Sequence, residues 1–169
     1  MSKRKKIIIA VAIPVSAFLI TILCLSLIYA APLWIEHYHR RGWTKLDFIE
    51  YQWEISLSKE DAIIEYNFSN RNGFHGDGEE YTVCKYSTRP DKFLENFEKD
   101  SDGKYTEKYN RILPLMKTKN KHNEYIDESK LFSPDDNLVW QSKIMNGNCT
   151  LLLAYDERSD TLYIIENFM

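Results

Sequence analysis

No catalytic or cofactor signature marks this chain. A GxSxG elbow, an HExxH pair, a phosphate-binding P-loop and a dinucleotide fingerprint are all missing from its 169 residues. There is no ready-made nucleophile, zinc pair or nucleotide cradle, and no cofactor is expected. Glycine and proline are scarce, at 6 and 5 residues, while aromatics make up 14% of the chain. That balance excludes a disordered stalk and suits a packed core. Neither an internal repeat nor a low-complexity tract is present. Cysteine is also rare: Cys24, Cys84 and Cys149 share no CxxC spacing, so a thiolate metal knuckle is not supported. Basic surplus is missing after residue 40. Residues 41–169 carry 17 Lys and Arg against 24 Asp and Glu, a net of −7, which argues against nucleic acid as a partner and against adhesion to anionic headgroups through basic patches.

What the chain does have is an N-terminal basic cluster, Lys3-Arg4-Lys5-Lys6, followed by an uncharged apolar run from Ile7 to Tyr29. About 20 apolar residues cross the hydrocarbon core of a bilayer as a helix, and a helix satisfies its own backbone there. The run therefore predicts a signal anchor over 7–29. A cleaved signal peptide fits less well, because its apolar region is usually only about 7–15 residues long. Cys24 does not read as a lipoprotein site, since Thr21-Ile22-Leu23 lacks the small residues such a site needs. The basic cluster places residues 1–6 in the cytoplasm and the rest outside. Residues 30–42 read as a polar neck; His37 and His39 within it form no metal site by themselves. Tyr29, Trp34, Tyr38 and Trp43 suit the outer interface. The bilayer is thus an expected partner through 7–29, and residues 43–169, enough for one core, form a single extracytoplasmic domain.

Within that domain, Ile49, Tyr51, Trp53, Ile55 and Leu57 alternate with polar residues and predict a half-buried strand. A helix carrying Leu46, Ile49 and Trp53 is the alternative. Ile64, Tyr66 and Phe68 alternate in a second strand, and Tyr81–Tyr86 is a third. Pro90-Asp91 opens a helical run with Phe93, Leu94 and Phe97 on one face, ended by Ser101-Asp102-Gly103. Tyr105, Tyr109 and Ile112 mark a second short helix that Pro114 should terminate. Residues 117–137 read as a long surface loop. Leu138–Met145, Cys149–Tyr155 and Thr161–Phe168 read as strands, joined by the turn Asn146-Gly147-Asn148 and the loop 156–160. Leu151 to Tyr155 is apolar on both faces and so central. The fold class is α+β, with an antiparallel sheet of about five strands and one or two helices behind the membrane helix. Cys84 and Cys149 each fall in a strand; two small buried thiols are the plainer reading, and an oxidising exterior permits a disulfide between them as the alternative.

The densest cluster of reactive side chains lies in Arg71-Asn72-Gly73-Phe74-His75-Gly76-Asp77-Gly78-Glu79-Glu80. Its glycines and asparagines are turn chemistry. The string Gly73-Phe74-His75-Gly76-Asp77-Gly78-Glu79 resembles a motif of uncharacterised, membrane-anchored extracytoplasmic proteins of low-GC Gram-positive bacteria. Thr150–Asp156 and Thr161-Leu162-Tyr163 look like the closing hairpin of that group. The resemblance implies an envelope location and a fold, and it implies no chemistry.

His75, Asp77, Glu79 and Glu80 hold the groups an acid–base pair or metal site needs, but polar loop residues around turn glycines are ordinary, and no metal is expected. Glu98–Gly103 imitates a calcium loop yet has Tyr109 where the twelfth-position Glu belongs. Asn67-Phe68-Ser69 and Asn148-Cys149-Thr150 match the glycosylation triplet, which the bacterial resemblance deprives of meaning. The reading that follows is a binding or interaction module at the envelope, with no catalytic residue assigned. Its contact residues are Arg71, Phe74, His75, Asp77 and Glu79, on a loop carried by a rigid sheet. A protein partner at the envelope is expected, an immunity-type protein being one version. The alternative is a small envelope hydrolase using His75 with Asp77 or Glu79.

Overall fold

A computed structural model describes residues 21–22, 41–71, 77–135, 137–145 and 148–169. The chain divides into two units, Met1–Lys45 and Leu46–Met169, and the second carries the fold. Of the expected anchor over 7–29 only Thr21 and Ile22 are described, both helical; the remainder, and the neck up to residue 40, lie outside the described residues. Among those described, no helix is long and apolar enough to cross a membrane.

Five strands form one antiparallel sheet: β1 (Ala62–Ser69), β2 (Gly78–Tyr86), β3 (Leu138–Met145), β4 (Cys149–Asp156) and β5 (Thr161–Phe168), in the order β1-β2-β5-β4-β3. The α+β class with a five-stranded antiparallel sheet is as expected. Among the described residues of this unit, three α-helices accompany it: α1 (Lys45–Trp53), α2 (Asp91–Leu94) and α3 (Lys104–Met116). A 3-10 turn at Glu128–Lys130 is the only helical piece described within the 117–137 loop.

No strand forms over 49–58: residues 49–53 are the end of helix α1, and 55–58 have no regular structure. The alternating residues also carry the helical spacing Leu46, Ile49, Trp53, and those three are buried. Packing decides between the two periods, because one helix face can bury all three large side chains against the sheet. Glu54 ends the helix with φ +48, and the next amide, Ile55 N–H, donates back to the Glu50 carbonyl at 3.2 Å. That left-handed residue with a backward bond is a usual helix stop. Ser101-Asp102-Gly103 does not end a helix but leads into one. The Asp100 carboxylate accepts from Tyr105 N–H at 2.9 Å and Thr106 N–H at 2.7 Å, occupying the free amides of the first turn of α3. Pro114 lies inside the last turn of α3 rather than terminating it. The one bond it forfeits would reach the carbonyl of Asn110, an exposed residue that water can satisfy.

Both faces of the sheet are covered. On one, Leu46, Ile49 and Trp53 of α1 and Leu94 of α2 pack on Cys84, Tyr86, Leu151, Leu153, Tyr155, Leu162 and Ile164. On the other, Tyr105, Tyr109, Ile112 and Met116 of α3 meet Tyr81, Val83, Trp140, Leu152, Ala154 and Ile165. Strand β4 is apolar on both sides and internal, as its sequence requires. Cys84, buried, and Cys149, half-buried, are free thiols, and the possible disulfide is not formed. Cys84 faces Leu162, which faces Tyr155; Cys149 begins the same strand six residues earlier, about 20 Å away along it. That is far beyond the reach of a disulfide.

Candidate functional site

The central strands β2 and β5 carry two polar residues each at the end where the 70–78 segment leaves the sheet. Register places Glu80 opposite Glu166, and Glu79 opposite Asn167. Because side chains alternate, these form two polar rows on opposite faces.

On the α1 face, Glu80 and Glu166 stand side by side, an arrangement like charges resist unless partners intervene. Partners do intervene. The buried Trp53 indole Nε1–H donates to Glu166 Oε1 at 2.7 Å. Arg71 Nη1 donates to Glu80 Oε1 at 3.3 Å, and the Arg71 guanidinium lies 4.0 Å from the centroid of the Phe168 ring. Arg71 thus joins the stem of the loop to β2 through an ion pair and to the last strand through a cation–π contact. Beside this row, Gln52, Trp53, Met145, Cys149 and Phe168 line a small pocket of about 180 Å³.

On the α3 face, Asn70, Glu79, Asn167 and Thr150 are all at least nine-tenths buried. They follow one another across the sheet, since Asn167 faces both Glu79 and Thr150. Asn70 is the stem's rivet. Its backbone N–H donates to the Glu79 carbonyl at 3.0 Å, and its Oδ1 accepts from Glu79 N–H at 2.6 Å. Its Nδ2 donates to the Leu115 carbonyl and to Thr118 Oγ1, each at 2.9 Å. One side chain therefore ties β1, β2 and the end of α3 together. Gly78 completes the stem with φ +133; a Cβ there would stand 2.8 Å from the Arg71 Cα. Burial pushes the Glu79 carboxyl above its ordinary pKa, opposed by its hydrogen bond to Asn70.

The expected contact residues separate in this arrangement. Arg71 is half-buried in the clamp just described, and Asp77 is exposed. Glu79 is 8% exposed on the α3 face, so it belongs to the base of the loop rather than to its tip. Phe74 and His75 lie outside the described residues. Among the described residues no three His, Cys, Asp or Glu side chains gather as a metal site would require. A larger hollow, about 460 Å³, lies between Lys99–Ser101 and Pro134-Asp135, but its charged groups are engaged: Lys99 with Glu157, and Asp100 at the start of α3. The sequence reading missed Trp53, Glu166, Asn167 and Phe168. The available signal was the pair Glu166-Asn167, polar residues interrupting the apolar strand Leu162–Phe168.

No known protein family, no curated protein and no solved structure matches this chain.

Proposed function

We propose that this chain is a membrane-anchored, extracytoplasmic binding module whose contact surface is the loop between Arg71 and Glu80. The observation that carries the reading is the construction of the loop's base. Asn70, Arg71, Gly78 and Glu79 are fixed by buried hydrogen bonds, an ion pair and a close backbone approach, and a rigid base lowers the entropy cost of presenting a loop to a partner. The basic cluster and apolar run at the N-terminus support the anchor and its orientation. The resemblance of 73–79 to envelope proteins of Gram-positive bacteria points to the same location. The hydrolase reading needs Glu79 or Asp77 to act beside His75. Glu79 sits inside the sheet, Asp77 is exposed, and no observation favours catalysis over binding.

The test uses the full chain in intact bacterial cells. A photo-crosslinking residue at 77 is expected to give one discrete protein adduct, while the same residue at exposed Tyr125 gives none. A Cys in place of Asp77, with Cys149→Ser, is expected to react with a membrane-impermeant maleimide before cells are opened. Labelling only after permeabilisation would sink the location, and adducts alike from both crosslinking positions would sink the contact surface.

A further inference from the structure

In the buried polar row on the α3 face, the hydrogens can be accounted for one by one. Both hydrogens of the Asn70 amide go to the Leu115 carbonyl and Thr118 Oγ1. The Thr118 hydroxyl donates to the Leu115 carbonyl at 2.8 Å, and the Thr150 hydroxyl to the Asn148 carbonyl at 3.4 Å. Tyr81, next along β2 on this face, donates its hydroxyl to the Lys130 carbonyl at 2.8 Å. Asn167 Oδ1 is buried, and none of these donors reaches it. A desolvated acceptor without a bond costs free energy, so native structures rarely leave one. Among the described residues of the row, the group that can still supply a hydrogen is the Glu79 carboxyl, once protonated. Glu79 stands directly opposite Asn167 in the β2–β5 register, which brings their Cβ atoms to about 4.5–5.5 Å on one face.

We infer that Glu79 is an uncharged acid whose O–H donates to Asn167 Oδ1, and that this acid–amide bond is a latch on the base of the 70–78 loop, closed while Glu79 keeps its proton. The charged groups around the row are engaged elsewhere. Lys117, just past α3, pairs with Glu128 at 2.8 Å, and Lys108 donates to Ser142 Oγ at 3.0 Å. Lys104 pairs with Glu98, and Arg111 is exposed. Arg71, Glu80 and Glu166 belong to the opposite face. When Glu79 ionises, its proton leaves to water, and a carboxylate and an amide oxygen, both desolvated acceptors, then face each other. The carboxylate gains by turning toward solvent. Glu79 cannot turn without disturbing Asn70, to which it is tied through both its N–H and its carbonyl. Burial pushes the Glu79 carboxyl above its ordinary value of 4.5, the direction the latch requires, with the Asn70 side chain opposing it. A raised folded pKa makes the contribution full below the unfolded value and lost as pH rises through the folded one. The latch is a property of the loop's base and does not depend on what the loop contacts.

The experiment follows the Glu79 carboxyl by carbon-13 NMR through a pH series, on the full chain in detergent micelles, with Glu79→Gln to assign the signal. Amide hydrogen exchange at Asn70 and Glu79, corrected for intrinsic rates, is read on the same samples. Glu79 is expected to titrate above 4.5, and its midpoint should fall in Asn167→Ala, because a bond to the neutral form raises an acid's pKa. A midpoint that rises in that variant would mean that the amide donates to a carboxylate, and overturns the latch. Protection of the two amides should drop several-fold as pH passes the Glu79 midpoint, while β4 stays protected. Glu79→Gln, whose side-chain amide is a permanent donor, should keep the protection at every pH. Protection that ignores pH in the native chain, or that Glu79→Gln fails to retain at high pH, overturns the inference; this arm decides alone if Asn167→Ala does not fold.

Discussion

Strands β2 and β5 lie side by side through the middle of the sheet, and their two ends are built differently. At one end Val83, Cys84, Leu162 and Ile164 bury apolar side chains on both faces, with nothing to hydrogen-bond. At the other, Glu79, Glu80, Glu166 and Asn167 fill the same kinds of position, and each buried polar group calls for a partner. The partners come from the stem and α1: Asn70, Arg71 and Trp53. Among the described residues, the Asn167 Oδ1 is left without a hydrogen bond. Polar burial of this kind adds little net stability, and an unpaired group subtracts from it. Apolar residues would hold the strands together more firmly. What the polar end provides is direction: its bonds specify where the chain leaves and re-enters the sheet, whereas apolar contacts only specify that it is covered.

The largest effect should therefore come from the apolar end. Ile164 is fully buried between α1 and the sheet. Replacing it with Ala is expected to cost about 2–5 kcal/mol, from lost transfer energy and the cavity left behind. Chemical denaturation of the full chain in detergent measures it, with the midpoint falling and the slope unchanged. A loss below that of the polar-end variants would reverse the contrast.

Next comes Gly78→Ala. The backbone sits at φ +133, and the new Cβ would meet the Arg71 backbone at 2.8 Å. The two closest atoms are backbone, and the third, Asn70 Oδ1 at 3.1 Å, is held by the Glu79 amide, so the stem must shift; the cost should be about 1–3 kcal/mol. Hydrogen exchange at Asn70 and Glu79 should quicken while β4 stays protected, because local opening differs from global unfolding. Uniform acceleration throughout the sheet would show that the stem is not a separate element.

How much of this was legible beforehand depends on which contacts decide each element. Strands β3, β4 and β5 follow from local alternation and turn residues, and the inner side of α3 follows from Tyr105, Tyr109 and Ile112. Helix α1 is not decided locally, since Ile49, Tyr51 and Trp53 suit either period and only the sheet beneath chooses. At the site, Arg71 and the Glu79-Glu80 pair stand out locally as residues flanking a glycine-rich turn. Their partners Trp53, Glu166 and Phe168 are distant in sequence, and no spacing rule connects them. Glu79 was expected at the surface because loop-flanking carboxylates usually are; the first residues of β2 instead fall under α3, where alternation turns Glu79 inward and Glu80 to the other face.

A pH measurement sharpens the comparison at smaller scale. Burial holds the folded Glu79 pKa above its ordinary value of 4.5. For a carboxyl with a raised folded pKa, the contribution to folding is full below the unfolded value and fades as pH rises through the folded one. The stability of the native chain minus that of Glu79→Gln should therefore decline from about pH 4.5 upward, then level off once the folded carboxyl has ionised. A difference that rises with pH would mean that Glu79 is stabilised as a carboxylate, and the polar row would then hold a charge rather than a neutral acid.

The smallest stability effect should follow Arg71→Ala. The pair with Glu80 is part-exposed, and such pairs give about 0–1 kcal/mol; the contact with the Phe168 ring adds about 0.5–1 kcal/mol. Denaturation should thus move little, by roughly 1–2 kcal/mol at most. Binding should move more, because Arg71 fixes the direction in which the loop leaves the sheet: crosslinking from position 77 should fall even though the fold persists. Arg71→Lys separates charge from geometry. Lysine keeps the ion pair but not the planar group over Phe168, so it should preserve most of the stability and recover only part of the adduct. If Arg71→Ala leaves the adduct unchanged, direction is set by Asn70 and Gly78 alone, and the α1-face row is structural.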